Sequence, residues 1–269
     1  MNQRAIGVFD SGLGGLTAVR QLRQIMPSED IIYFGDTSRV PYGNRSRETI
    51  LKYARQDTRF LRRFDLKAIV IACGTVSSNC LQELQQENDI PIIGVVEPTV
   101  QQAVALTRSK RVGMVATRAS VASGAYERSF RQLDAQVEVF SRACPLFVPL
   151  VEEGRCHPGD SVIETVTAEY LQELKDLQVD TLVLGCTHYP LLTDVISRFM
   201  GPDVQLVNAG AEAARAVQRL LQDTDACAQR ERGSASYYTS DRADNFQRLA
   251  SLFLGEDMAQ AQQIDISQY

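Results

Sequence analysis

Two short stretches of this chain read almost alike, and each ends in a cysteine. The first is Ala68-Ile69-Val70-Ile71-Ala72-Cys73-Gly74-Thr75, the second Thr181-Leu182-Val183-Leu184-Gly185-Cys186-Thr187-His188. Branched apolar residues follow one another without alternation, so neither face of such a strand can meet water. A parallel sheet with helices on both faces is the arrangement that accommodates them. Each run breaks at a small residue, which puts the thiol where the strand ends. Ligands of open α/β sheets bind beyond the carboxyl ends of the strands. Two weak acids placed there can take a proton from one face of a carbon and return one on the other.

The rest of the chain alternates in the same rhythm. Strands are expected at Ala5–Phe9, Ile31–Phe34, Ile92–Val95, Val112–Ala116, Val137–Phe140 and Val204–Val207, with amphipathic helices between them, one of them near Val121–Leu133. This is the α/β class with mostly parallel sheets. The paired cysteine strands, and the likeness of Ile6-Gly7-Val8-Phe9-Asp10 to Val112-Gly113-Met114-Val115-Ala116-Thr117, point to an internal duplication. The expected architecture is two similar parallel-sheet α/β domains related by a pseudo-two-fold axis, with the active site in the cleft between them. Residues 1–97 plus 210–269 form the first domain and residues 98–209 the second. The segment after Gly210 is too short for a domain and packs back on the first half.

Composition excludes several classes. The 269 residues carry a net charge of −5, the opposite of a nucleic-acid footprint. No apolar run approaches the length that spans a bilayer. The leader Met1-Asn2-Gln3-Arg4 has no apolar region of a signal peptide, so the expected location is the cytoplasm, where the six cysteines stay reduced. With only His157 and His188, a three-histidine metal site is excluded. The lysines Lys52, Lys67, Lys110 and Lys175 all stand in charged helical or loop contexts, and none looks like the desolvated lysine that forms a Schiff base with pyridoxal phosphate. Neither cofactor nor metal is expected.

Three loops follow strands. Asp10-Ser11-Gly12-Leu13-Gly14-Gly15 matches neither the dinucleotide fingerprint nor a P-loop. It serves either as a close backbone cradle for an anion at a helix start or as an ordinary tight turn with Asp10 satisfying backbone amides. Gly35-Asp36-Thr37-Ser38-Arg39-Val40-Pro41-Tyr42-Gly43 can aim amides at an anion, and its length and tyrosine favour a binding loop over a plain one. In Cys186-Thr187-His188-Tyr189-Pro190 a histidine two residues from a thiol can tune it or hold its proton. Glu152-Glu153 either tunes that histidine or is a solvated loop pair. Cys80, Cys144, Cys156 and Cys227 read as ordinary core or surface thiols.

Taken together these segments resemble the glutamate racemases of the cofactor-independent aspartate/glutamate racemase superfamily. The matching pieces are Asp10-Ser11-Gly-x-Gly-Gly, Gly35-Asp36-Thr37 with Pro41-Tyr42-Gly43, Ala72-Cys73-x-Thr75, Pro149-Leu150-Val151-Glu152 and Gly185-Cys186-Thr187-His188-Tyr189-Pro190. The resemblance implies a two-base reaction at the α-carbon of glutamate, with Cys73 taking the proton from D-glutamate and Cys186 from L-glutamate. Asp10 would support Cys73; His188 with Glu152 would support Cys186. Ser11, Thr75 and Thr187 would bind the α-amino and α-carboxylate groups, Pro41, Tyr42 and Gly43 the side-chain carboxylate. Ser120 stands where a threonine is common. Gly74 stands where the family usually has asparagine. D-Glutamate is a building block of bacterial peptidoglycan. A homodimer is compatible with the resemblance, and no nucleotide-precursor activator is expected.

Three other readings use some of the same residues. A sibling racemase acting on aspartate or a hydantoin would use the same cysteines. A non-catalytic amino-acid-binding protein would need no thiol pair, and a thiol redox sensor would want a resolving cysteine nearby.

Overall fold

The computed structural model describes residues 3–258 and 260–269, so Met1 and Asn2 of the leader lie outside it. The first sheet holds β1 (Ala5–Asp10), β2 (Ile31–Gly35), β3 (Leu66–Ile71) and β4 (Ile92–Gly94). Between them run α1 (Leu16–Ile25), α2 (Arg47–Leu61) and α3 (Gly74–Gln86), and α4 (Val96–Leu106) leads on to the second sheet. That sheet holds β5 (Arg111–Ala116), β6 (Glu138–Ala143), β7 (Thr181–Leu184) and β8 (Gln205–Asn208). Its helices are α5 (Arg118–Ser123), α6 (Ala125–Leu133), α7 (Phe147–Glu152), α8 (Ser161–Asp176) and α9 (Thr193–Met200). The chain then runs through α10 (Ala209–Asp223), β9 (Ala235–Thr239), α11 (Ala243–Leu254) and β10 (Gln262–Gln263).

Strand order explains the likeness of the two cysteine runs. The first sheet is ordered β10-β9-β2-β1-β3-β4 and the second β6-β5-β7-β8. Without the two late strands, each reads second, first, third, fourth, and all pairs are parallel. Every residue of β1, β3 and β7 is buried, which is why their sequences do not alternate. In a sheet ordered this way the connections leave in opposite directions from the first and third strands, opening a crevice between their carboxyl ends. Asp10 and Cys73 flank that point in one sheet, Thr117 and Cys186 in the other. Each cysteine stands two residues past its strand's end.

The late segment returns to the first sheet. There β9 pairs with β2, from Ile31 opposite Ala235 to Gly35 opposite Thr239. No described helix is long and apolar enough to cross a membrane.

Three local expectations are corrected. The helix foreseen near 121–133 is broken at Gly124, whose φ of +64° is left-handed and ends α5 before α6 begins. Glu152 lies at the end of helix α7 rather than in a loop. Lys67 is not in a helical or loop context: it lies in β3 with a side chain 1% exposed, paired with Glu29 and donating to the Ala226 carbonyl at 2.9 Å. Its partners tie down the chain after α10. It sits at the amino end of β3, away from Cys73.

Candidate active site

The crevices of the two sheets face one cavity of about 340 Å³. From the first sheet come Ser11, Gly12, residues 40–44, Cys73, Gly74 and Thr75; from the second come Thr117, Arg118, Pro145, Val148, Pro149, Glu152, Cys186, Thr187 and His188. A thiol from each sheet therefore lines the same space. Both are largely withdrawn from solvent, Cys73 at 4% and Cys186 at 8% exposure.

On the first side, Cys73 is the N-cap residue of α3, so the amides of that helix's first turn, which have no partner within it, start at the thiol. Its Sγ lies 3.4 Å from Ser11 Oγ. Burial, and then the charge of Asp10, push the Cys73 thiol up to about 12, against the contrary pull of Ser11 and the Val76 amide. Cys73 rests as a thiol at neutral pH. Asp10 lies one layer behind. Its Oδ2 accepts from the amides of Gly12 (3.2 Å) and Gly15 (3.0 Å), while its buried Oδ1 has no partner of this kind. Burial raises the Asp10 carboxyl above its ordinary range, opposed by the charge of His188 and by those amides. The field of His188 thus reaches across the cleft.

On the second side, His188 Nε2 lies 2.9 Å from Glu152 Oε1. The ring packs edge-on against Phe253 of α11, centroids 5.1 Å apart. Burial works against charge on the ring, but Cys186 and the Glu152 carboxylate outweigh it and lift the imidazole from 6.5 to about 10. It is an imidazolium at neutral pH.

The two sides are stitched together. Thr75 and Thr117 hydroxyls meet at 3.0 Å across the cleft, and Thr117 meets Ser120 Oγ at 3.0 Å. Thr17 donates to the Thr187 carbonyl at 2.9 Å. Two glycines make the approach possible. A Cβ at Gly14 would overlap Thr187 Oγ1 and His188 Nδ1, and one at Gly74 would overlap the Gly185 carbonyl oxygen. No side chain, asparagine included, fits at 74 without moving the opposite strand.

This chain aligns with glutamate racemases over essentially its whole length. It is 44% identical to the glutamate racemase of Geobacter metallireducens, covering 99% of this chain and 98% of that protein. The fold superposes on a glutamate racemase isoform from Bacillus anthracis with a TM-score of 0.95, at 33% identity and 98% coverage of both chains. The Francisella tularensis glutamate racemase, solved with D-glutamate, matches at a TM-score of 0.92, with 36% identity and 100% coverage of both. The Asp/Glu/Hydantoin racemase family model matches residues 17–217.

The chain belongs to the Asp/Glu/Hydantoin racemase family.

Membership makes it an isomerase, an amino-acid racemase. Of the residues singled out for racemase chemistry, Ser11, Pro41, Tyr42, Gly43, Cys73, Thr75, Glu152, Cys186, Thr187 and His188 come together around the cavity. Asp10 and Ser120 are set behind it, Asp10 by the amides it accepts and Ser120 by its bond to Thr117. Tyr42 lines the cavity, while its hydroxyl turns away from it. Its hydroxyl donates to Asp36 on the far side of the loop, so its main chain is what it can offer. Of the glutamate pair, Glu152 lines the cavity and Glu153 does not. Sequence reasoning missed Thr117, Arg118 and Phe253. Thr117 was findable, because it follows β5 as Ser11 follows β1; nothing local marks Phe253.

Proposed function

We propose that this racemase interconverts L- and D-glutamate by proton transfer between two thiols on opposite faces of the α-carbon. The observation that carries the reading is the pair of buried cysteines, one from each sheet, lining a single cavity. An α-proton beside a carboxylate is very weakly acidic, so the carbanion needs fixed donors in a site with little water. The amides at the start of α3 and the hydroxyls of Thr75, Thr117 and Thr187 are such donors.

Starting from L-glutamate, the Cys186 thiolate takes the α-proton and becomes a thiol. The Cys73 thiol delivers its proton to the other face, leaving D-glutamate and a Cys73 thiolate. The reverse reaction exchanges the roles. The His188 imidazolium supplies the positive charge that suits a thiolate at Cys186, and Glu152 orients the ring. Asp10 stands beside Cys73 and holds the glycine turn through its amides. The main chain at 41–43 receives the side-chain carboxylate. Neither cofactor nor metal has a step in this scheme. D-Glutamate made this way serves peptidoglycan synthesis, and the site of action is the cytoplasm.

The test is incubation with L-glutamate in heavy water without added cofactor. Optical rotation should fall to zero while deuterium enters the α-position. Retained rotation with no exchange would overturn the reading, and exchange with aspartate or a hydantoin alone would move it to a sibling substrate.

A further inference from the structure

Behind the cavity wall at residues 41–43 lies a cluster of charge that the proton transfer does not use. Asp36 follows β2 and Asp57 lies in α2; both are 0% exposed. One guanidinium serves both carboxylates. Arg39 Nε lies 2.5 Å from Asp36 Oδ2 and Nη2 2.9 Å from Asp57 Oδ1, while Nη1 lies 2.5 Å from Gln56 Oε1. The guanidinium also stacks over the Tyr53 ring, 4.1 Å from its centroid. Tyr42 donates its hydroxyl to Asp36, and Asp57 Oδ2 lies 3.2 Å from the same hydroxyl. Ser240, just past β9, donates to Asp36 Oδ1 at 2.7 Å.

Such a cluster is a poor source of stability. Withdrawing charges from water takes back most of what their attraction returns, and apolar side chains of similar size would do as well. What a satisfied buried network supplies is a single geometry. Here its members come from the end of β2, the loop, α2 and the segment after β9. They converge on Tyr42, the member that also lines the cavity. Burial, with the charge of Asp36 adding to it, raises the Asp57 carboxyl well above the usual carboxylate range, against the pull of Arg39. The Tyr42 hydroxyl stands between the two carboxylates, bonded to Asp36 and 3.2 Å from Asp57 Oδ2. Arg39 bridges the same two carboxylates from the other side.

We propose that Asp57 and Arg39 are positioning residues for substrate: through the Tyr42 hydroxyl they hold the main chain of residues 41–43 at the height where it receives the distal carboxylate. This rests on the racemase reading above. The network touches neither thiol, so loosening it acts on binding and leaves the proton transfers alone.

The experiment is steady-state kinetics in both directions on Tyr42→Phe, Asp57→Asn and Asp57→Ala. Tyr42→Phe keeps the ring and the packing, and should raise KM for both enantiomers about tenfold, the size of one lost hydrogen bond to a charged group. Its kcat should stay within about twofold. Asp57→Asn keeps a polar group of the same shape beside the Tyr42 hydroxyl and should leave KM near that of the unmodified enzyme, whereas Asp57→Ala should raise it as Tyr42→Phe does. An unchanged KM in Tyr42→Phe overturns the proposal, and so does a loss confined to kcat. If Asp57→Ala fails to fold, Tyr42→Phe and Asp57→Asn still decide it. An unmodified enzyme that does not racemise glutamate fails the racemase reading instead, a result distinct from either.

Discussion

The His188 imidazole is held at 2.9 Å by the Glu152 carboxylate, a residue 36 positions earlier in the chain. The end of helix α7 carries the carboxylate, and the turn after β7 carries the ring. This pairing, with Cys186 beside the ring, overcomes burial and keeps the imidazole charged. Among the described residues the charge acting on Cys73 is that of Asp10, an anion. The two thiols of one cavity therefore sit in unlike fields.

If each thiol serves one face of the carbon, neither can substitute for the other. Cys73→Ala and Cys186→Ala should each lower racemisation at least ~10³-fold, within the range a positioned acid or base contributes. Cys80→Ala and Cys227→Ala should stay active. Circular dichroism of glutamate follows the reaction, and near-normal rates in either cavity variant would refute the two-thiol scheme.

His188→Asn should affect the L-to-D direction more than the reverse. The equilibrium between mirror images stays at unity, so kcat and KM shift separately while the ratio of the two kcat/KM values does not. The acid limb of the kcat profile should move for L-glutamate and hold for D-glutamate, while the two kcat/KM profiles stay superimposed. Equal changes of kcat and of KM in both directions would make His188 a structural residue.

The same substitution has a stability signature. The His188 imidazole rises on folding from 6.5 to about 10, so its charge favours the folded state. That contribution is complete below pH 6.5 and is lost as pH rises towards 10. Denaturant unfolding should find His188→Asn most deficient against the unmodified protein near pH 6 and least so near pH 10. A deficit constant across that window would contradict the assignment.

The charge of Asp10 is the second cause of the Cys73 rise to about 12. Asp10→Asn removes that charge and leaves an acceptor for the glycine amides. The thiol should then ionise more readily, and alkylation of Cys73 at pH 8, read by peptide mass spectrometry, should speed up several-fold. Slower or unchanged alkylation would show that burial alone sets the thiol.

Gly74 meets Gly185 backbone to backbone. Gly74→Asn supplies the residue usual in the racemases this chain resembles, yet its Cβ has no room. It should destabilise by about 1–3 kcal/mol, the range for overpacking a dense interior, and lower activity by widening the cleft. Thermal unfolding beside an activity assay checks both, and a fully stable, fully active variant would refute the close approach.

The sequence alone determined the α/β class, the doubled strand pattern and the two thiols at strand ends. Those are local properties: an unbroken apolar run declares burial on both faces, and a small residue after it declares where the strand stops. The tertiary structure decided what depends on arrivals from distant chain. Lys67 reads in sequence as a charged helical or loop residue and is buried in β3, where Glu29 and the Ala226 carbonyl meet it. Tyr42 reads in sequence as part of a carboxylate-binding loop, and only the fold shows that Asp36 and Asp57 hold its hydroxyl from behind. Gly74 reads as a missing amide, and is a point where one sheet's backbone needs the space of the other's. Hydrophobic periodicity reports which face of an element is dry. It carries nothing about which group from another sheet will stand opposite, and that pairing sets the charge and reach of each side chain in this cavity.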